Sequence, residues 1–337
     1  MTTYSGWFVT QRGHPSEVLQ LKSGLPLPTK LPDGHVLVKV QAVALNPVGY
    51  KLMGFVPNFL RPRPYIAEQD VAGVIIDPNG SKFSAGDRVF GSSTLGTLAE
   101  YVVLASSSLA VMPPNVSPVE AAGLGVVGVT AYQALVEKLK IESGQTVFIN
   151  GGSSGIGLFA IQIAKSMGCK VVATASAKNK DILLSLGVDE FLDYTQAPLV
   201  KQLCSKPPSP KFHALLDAVG LTDPSLYLNS ASYLAPGGIY LTAGTLPKTS
   251  TEIIGVMRQL LEGFLRPTWL GGVPRQYTFV LANLGQENLE KVRDLVSSGA
   301  VKPIVDSVYS FDRDGVMKAY ERMMSKRAVG KVVVKVA

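Results

Sequence analysis

Two textures of hydrophobic patterning divide the chain. Up to about Val111, short runs rich in β-formers (HVLVKVQAVAL, DVAGVII, DRVFG and LAEYVVL) are separated by glycine and proline. This pattern predicts strands joined by turns, in an all-β, barrel-like region. From about Pro118 strand-like runs alternate with helical ones. TVFIN leads into IGLFAIQIAKSMG and KVVATAS into KDILLSLG, and HALLDAVG, a helix-like SLYLNSASYL and GGIYLTAG follow. Repeated βα units predict a doubly wound parallel sheet. After about Glu287 come a helix (ENLEKVRDLVSSG), a strand (IVDSVYSF), a second helix (DGVMKAYERMMSK) and a last strand, GKVVVKV. No crossover helix follows that strand, so it is expected to return to the first domain or to close a sheet edge. The expected organisation is a discontinuous first domain, 1–120 with 286–337, around the doubly wound domain, 121–285. The segment from Pro247 to Pro274, with EIIGVMRQLLEGFL inside it, predicts a helical excursion beside a ligand cleft.

Composition narrows the class. The chain has 337 residues, of which 46% are hydrophobic and 17% charged, enough apolar material for two packed cores. The longest apolar run, Ala121 to Ala134, is broken by glycines, Thr130 and Gln133, so no membrane span is predicted. The N-terminus has neither a signal-peptide nor a transit-peptide pattern, which predicts a mature cytoplasmic protein. The net charge is +7, but its cations are dispersed and form no block of the kind that binds nucleic acid. Cys169 and Cys204, the only cysteines, build neither a disulfide framework nor a CxxC motif. Together with His14, His35 and His213 they compose no tetrahedral N/S metal site, so no metal is expected.

The candidate chemistry lies at TVFINGGSSGIGLFAIQIAK, residues 146–165. A dinucleotide fold uses its first strand-to-helix turn to bring backbone N–H groups and a helix N-terminus against a pyrophosphate. Gly152-x-Ser154-x-x-Gly157 is the glycine fingerprint with serine in the middle, and Ser153, Gly155 and Ile156 complete the turn. Gly155-x-Gly157-x-x-Ala160 also fits, but begins further from the strand. An ordinary tight turn is the alternative, and the flanking strand, helix and second strand argue against it. NAD-binding folds place an acidic residue about 20 residues on. Here KVVATAS ends at Ser176, followed by Lys178 and Lys180. A hydroxyl and lysines suit the 2′-phosphate of NADPH better than a bare ribose; two solvated lysines at a helix start are the alternative.

These features, with ALNPVGYK (44–51), DVAGVI (70–75), GDRVFG (86–91), GTLAEYVV (96–103), GVTAYQAL (128–135), NGGSSGIG, LLDAVG and the terminal GKVVVKV, cover essentially the whole chain. They resemble the medium-chain dehydrogenase/reductase superfamily, and within it the zinc-independent quinone oxidoreductase and enoyl reductase branch. The resemblance implies a GroES-like β-barrel domain and a Rossmann domain. It places Asn46 and Lys51 beside the nicotinamide and Thr130 on the cofactor. Ser176, Lys180 and Tyr194 fall at the 2′-phosphate, Gly220 at the LLDAVG turn, and Lys331 reaches back to the cofactor. Tyr50, one residue out of step with the tyrosine of typical quinone oxidoreductases, is a candidate proton donor, with packing as its alternative role. The family often has an acidic residue where Gly49 stands, and its zinc-dependent members have Gly-His-Glu where this chain has Glu68, Gln69 and Asp70. Asp217 is expected to end a strand and shape the cofactor turn. Met323 and Met324 are expected in the core. Arg61 and Arg63 are expected to be solvated, with an acidic group such as a coenzyme A phosphate as the alternative partner.

The expected function is hydride transfer from NADPH to quinones or α,β-unsaturated carbonyls, because the product anion needs only hydrogen-bond donors and a proton source. Alternatives are an enoyl reductase serving a polyketide or fatty-acyl pathway in trans, and a low-turnover NADPH-binding sensor or structural protein. A homodimer formed through the nucleotide domains is implied by the resemblance.

Overall fold

The computed structural model describes residues 3–244 and 250–337. The chain folds into two compact units, one made of residues up to Val129 together with Asn283–Ala337, the other of Thr130–Ala282.

In the first unit β1 (Thr3–Val9), β2 (Leu19–Pro26), β3 (His35–Ala44), β4 (Tyr65–Ile66), β5 (Asp70–Asp77), β6 (Arg88–Ser92), β7 (Tyr101–Ala105) and β8 (Leu109–Val111) come first. Their alternation of apolar and polar residues buries one face, as in β3, where Val36, Val38 and Val40 are in the core and Lys39 is exposed. The second unit holds β9 (Thr146–Asn150), β10 (Lys170–Ala175), β11 (Glu190–Asp193), β12 (Phe212–Asp217), β13 (Leu234–Thr242) and β14 (Gln276–Phe279). The chain then returns to the first unit with β15 (Val305–Ser310) and β16 (Lys331–Lys335).

All pairings in the second unit's sheet are parallel, in the order β11-β10-β9-β12-β13-β14. This is the doubly wound arrangement expected, and the winding direction reverses between β9 and β12. The edge strands β11 and β14 did not stand out in the hydrophobic pattern. The helix Gly155–Ser166 follows β9 directly. Of the helical excursion expected at 247–274, residues 247–249 lie outside the described ones; Ser250–Leu260 is helical and continues as a π-turn to Leu265.

In the first unit β1 pairs with β2 and β4, while the larger sheet runs β15-β16-β3-β5-β6-β8, with β7 also on β3. The last strand therefore does return, parallel to β15 and antiparallel to β3. Between β15 and β16 lies the helix Arg313–Met324, capped by Asp312, whose carboxylate accepts the Gly315 N–H at 2.8 Å. It buries Val316, Ala319, Tyr320 and Met323, one helical stripe, against the core. Met324 packs partly buried beside it. A second helix, Pro47–Phe55, starts immediately after β3, with Asn46 as its N-cap.

Candidate functional site

In the second unit the chemistry gathers at the C-terminal ends of the strands flanking the reversal. Gly151 leaves β9 with φ +79°, a left-handed conformation that glycine adopts without penalty. Its N–H donates to Thr174 Oγ1 at 2.9 Å, and the Gly152 N–H to the Thr174 carbonyl at 2.7 Å. A Cβ on Gly152 would lie 2.8 Å from Leu183 Cδ2, and one on Gly157 only 2.2 Å from the Gly151 carbonyl. The first and last glycines of the fingerprint thus let the turn and helix approach β9 and β10 closely.

Ser154 caps the helix, its hydroxyl oxygen accepting the Gly157 N–H at 3.1 Å. It acts first on the backbone, leaving only its O–H hydrogen to donate. The N–H groups of Gly155 and Ile156 belong to the first turn, where the helix offers no acceptor, and with the helix dipole they form a seat for an anion. Ser154→Ala is expected to lower stability by about 1 kcal/mol, read from a urea unfolding midpoint.

Asp217 ends β12 and is fully buried. Its Oδ1 accepts the Asn150 side-chain amide at 2.9 Å and the Val219 N–H at 3.2 Å; Oδ2 accepts the Leu221 N–H at 2.7 Å. Asn150 in turn accepts the Thr174 hydroxyl at 2.8 Å. One chain of hydrogen bonds therefore ties β10, β9 and β12 to the turn at Gly220, which has φ +70°. Burial pushes the Asp217 carboxyl above the usual aspartate range, against the pull of its donors. Asp217 shapes the turn, as expected. Thr174 was missed, because a threonine inside a strand carries no motif signal.

Ser176, Lys180 and Tyr194 lie where β10 and β11 end. Ala175 is in register with Asp193, and the Tyr194 N–H reaches the Ala175 carbonyl at 3.4 Å. Ser153 joins them from the glycine turn, its hydroxyl accepting the Asn179 amide at 3.1 Å. The parallel register also brings Asp193 here, a carboxylate that spacing along the chain did not reveal. It accepts the Thr195 N–H and hydroxyl and the Gln196 amide, and the backbone of Ala177, just past β10, also bonds to it.

The first unit contains a buried polar cluster. Lys331 donates to Asn46 Oδ1 at 2.6 Å and to Asp70 Oδ2 at 3.2 Å, and the Asn46 amide donates to the same Asp70 oxygen at 2.9 Å. The other Asp70 oxygen accepts the Val126 N–H at 2.9 Å. Asn46, Asp70 and Lys331 are all at most 5% exposed. Glu68, also fully buried, accepts the Asn46 N–H at 3.2 Å and the Tyr320 hydroxyl at 2.5 Å. Burial pushes its carboxyl up to about 7, offset in part by those two donors and by Lys331. Asn46 and Lys331, 285 residues apart, were both expected at the cofactor and are in direct contact. Glu68, Asp70 and Tyr320 were not anticipated as a group; charged residues bracketing an otherwise apolar buried strand were the available signal.

Residues 32–114 match the alcohol dehydrogenase GroES-like domain family, and residues 186–334 the zinc-binding dehydrogenase family. The chain is 35% identical to the trans-enoyl reductase pgmF of Aspergillus terreus, across 94% of its own length and 92% of that protein's. It is 30% identical to the chloroplastic NADPH-dependent alkenal/one oxidoreductase of Arabidopsis thaliana, over 94% of this chain and 76% of that one. The solved quinone oxidoreductase of Coxiella burnetii is matched over the whole of both chains, with TM-score 0.82 and 25% identity. The chain belongs to the medium-chain dehydrogenase/reductase superfamily. It is an oxidoreductase of that superfamily, with a GroES-like domain and a Rossmann-type sheet.

Among the described residues no group of three or more His, Cys, Asp or Glu side chains could hold a metal. Cys169 is buried in the second unit, its thiol directed at the Glu142 carbonyl.

The remaining residues expected at the site lie on two helices. Tyr50 and Lys51 follow Asn46 by one turn on the helix Pro47–Phe55, both half-buried, with Tyr50 packed against the core. Thr130 is buried in the helix Gly125–Tyr132. Arg63 corrects an expectation: it is half-buried rather than solvated. Its guanidinium donates to the Val56 carbonyl at 3.0 Å and the Met53 carbonyl at 3.3 Å, satisfying the C-terminal end of the helix Pro47–Phe55. Arg61, also half-buried, lies over the Tyr65 ring at 5.4 Å. No helix among the described residues is long and apolar enough to cross a membrane.

Proposed function

We propose that this reductase delivers hydride from NADPH to α,β-unsaturated carbonyls or quinones, without zinc, the nucleotide domain (121–285) carrying the cofactor and the remainder (1–120 with 286–337) the catalytic groups. The observation that carries the reading is the end of β10, where Ser176, Lys178 and Lys180 stand in place of an acidic ribose ligand. In this reading the pyrophosphate lies at Gly152, Ser153, Ser154, Gly155, Ile156 and Gly157, with Gly220 lining the neighbouring turn. Ser176, Lys180 and Tyr194 hold the 2′-phosphate, and Asn46, Lys51, Thr130 and Lys331 the nicotinamide end.

When bound, the cofactor supplies a hydride to the carbon β to the carbonyl. The enolate that results needs hydrogen-bond donors and one proton, and Tyr50 and Lys51 are assigned to that task. The donor set suits this, since Tyr50 offers a hydroxyl and Lys51 an ammonium.

The test is NADPH consumption against parallel panels of quinones, alkenals and enoyl thioesters, with NADH as control and metal analysis alongside. Equal rates with NADH, or stoichiometric zinc, would overturn the proposal. Replacing Lys178 and Lys180 together by alanine is expected to raise KM for NADPH about tenfold while changing that for NADH less than about twofold.

Acyl thioesters are the second reading, favoured by the 35% identity to a trans-enoyl reductase. Turnover of an enoyl thioester at least about tenfold above the matching enone, in kcat/KM, would select it.

A further inference from the structure

The helix Pro47–Phe55 begins in an unusual way. An asparagine at the N-cap normally spends its side-chain oxygen on the helix's own first N–H groups. Asn46 makes no such bond; its oxygen accepts Lys331 and its amide serves Asp70. A carboxyl group from elsewhere stands at the helix start instead: Glu68 accepts the backbone N–H of Asn46 itself.

Two further observations show that this carboxylate is specifically accommodated. A Cβ on Gly49, in that same first turn, would lie 2.5 Å from Glu68 Oε1 and 3.0 Å from Oε2, so any side chain there would displace it. Glu68 itself has φ +64°, a backbone conformation that costs a non-glycine residue energy and persists only where its surroundings hold it. What holds it is the pair of donors, Asn46 N–H and the Tyr320 hydroxyl on the helix Arg313–Met324.

We propose that Glu68 is a positioning residue for the Asn46–Lys331 pair and that Gly49 is the clearance that admits its carboxylate, the two residues forming one matched device. By holding the Asn46 backbone N–H, Glu68 fixes the residue whose side-chain oxygen accepts the Lys331 ammonium. This inference rests on the reading that Asn46 and Lys331 serve the nicotinamide end of the cofactor.

The test uses the full-length protein and two ligands: NADPH, and adenosine 2′,5′-bisphosphate, which lacks the nicotinamide half. Glu68→Gly is expected to weaken NADPH about tenfold and the adenosine fragment by less than about twofold, a split that general loosening of the fold would not produce. Gly49→Asp alone sets a second carboxyl against Glu68 and should lower the thermal midpoint. Combining the two substitutions moves the carboxylate to position 49, and should restore NADPH affinity to within about threefold of the parent and the midpoint above either single variant. Parallel losses for both ligands, or a double variant no better than the worse single one, would overturn the proposal. Should Glu68→Gly not fold, Glu68→Gln at pH 8 carries the same comparison, and unchanged NADPH affinity there would overturn it. If neither ligand binds the parent protein, the cofactor reading fails, while the thermal cycle still decides whether residues 49 and 68 are coupled.

Discussion

Lys331→Met is expected to lower the stability of the first unit by about 3–5 kcal/mol, because it leaves Asp70 as a buried carboxylate without its counter-charge. Asp70 is fully buried and keeps two donors, the Asn46 amide and the Val126 N–H, which satisfy its lone pairs without neutralising it. Converting it to asparagine in the same chain should recover most of the loss, since the buried charge then disappears from both partners. Urea unfolding at neutral pH measures both variants. A single variant within about 1 kcal/mol of the parent would show that Asp70 escapes its burial by another route.

Stability is also expected to fall by about 3 kcal/mol between pH 5 and pH 8, and Glu68→Gln should remove most of that fall. The sign follows from proton binding. The folded state holds the Glu68 proton up to about pH 7, whereas an unfolded glutamate releases it near 4.5. The folded protein therefore binds more protons across that window, and its advantage is lost as pH rises through it. The groups facing Glu68 are Tyr320, Tyr65, Lys331 and Asp70; only the lysine favours the ionised carboxylate by its charge. Asp217, also shifted upward by burial, adds a fall of the same sign that the variant retains. Unfolding free energies at pH 5, 6, 7 and 8 test this, and an identical slope in parent and variant would contradict it.

Strands with long apolar alternation or uniform burial, such as β3, β5, β9 and β12, were legible directly, and so was the doubly wound order they imply. The edges were not. EFLD and QYTF are four residues each with mixed polarity, and they become strands by pairing with β10 and β13 rather than through their own pattern. The glycine turn was legible because its backbone geometry requires particular residues, Gly152 and Gly157 above all. The polar cluster was legible only in fragments. Motif reading reached Asn46 and Lys331 separately, but their contact depends on β16 lying against β3, and no local pattern shows that Glu68 and Gly49 share one space. Side chains that work through tertiary neighbours leave little trace in sequence order.

The return of the last strand has a consequence for how the protein is made. On the ribosome the second unit, residues 130–282, emerges complete while the first still lacks β15 and β16. Until residue 331 has been translated, Asp70 lacks the Lys331 ammonium, so the sheet that encloses it can close only after β16 has emerged. The second unit can therefore assemble ahead of the first, whose buried polar cluster is completed only by β16.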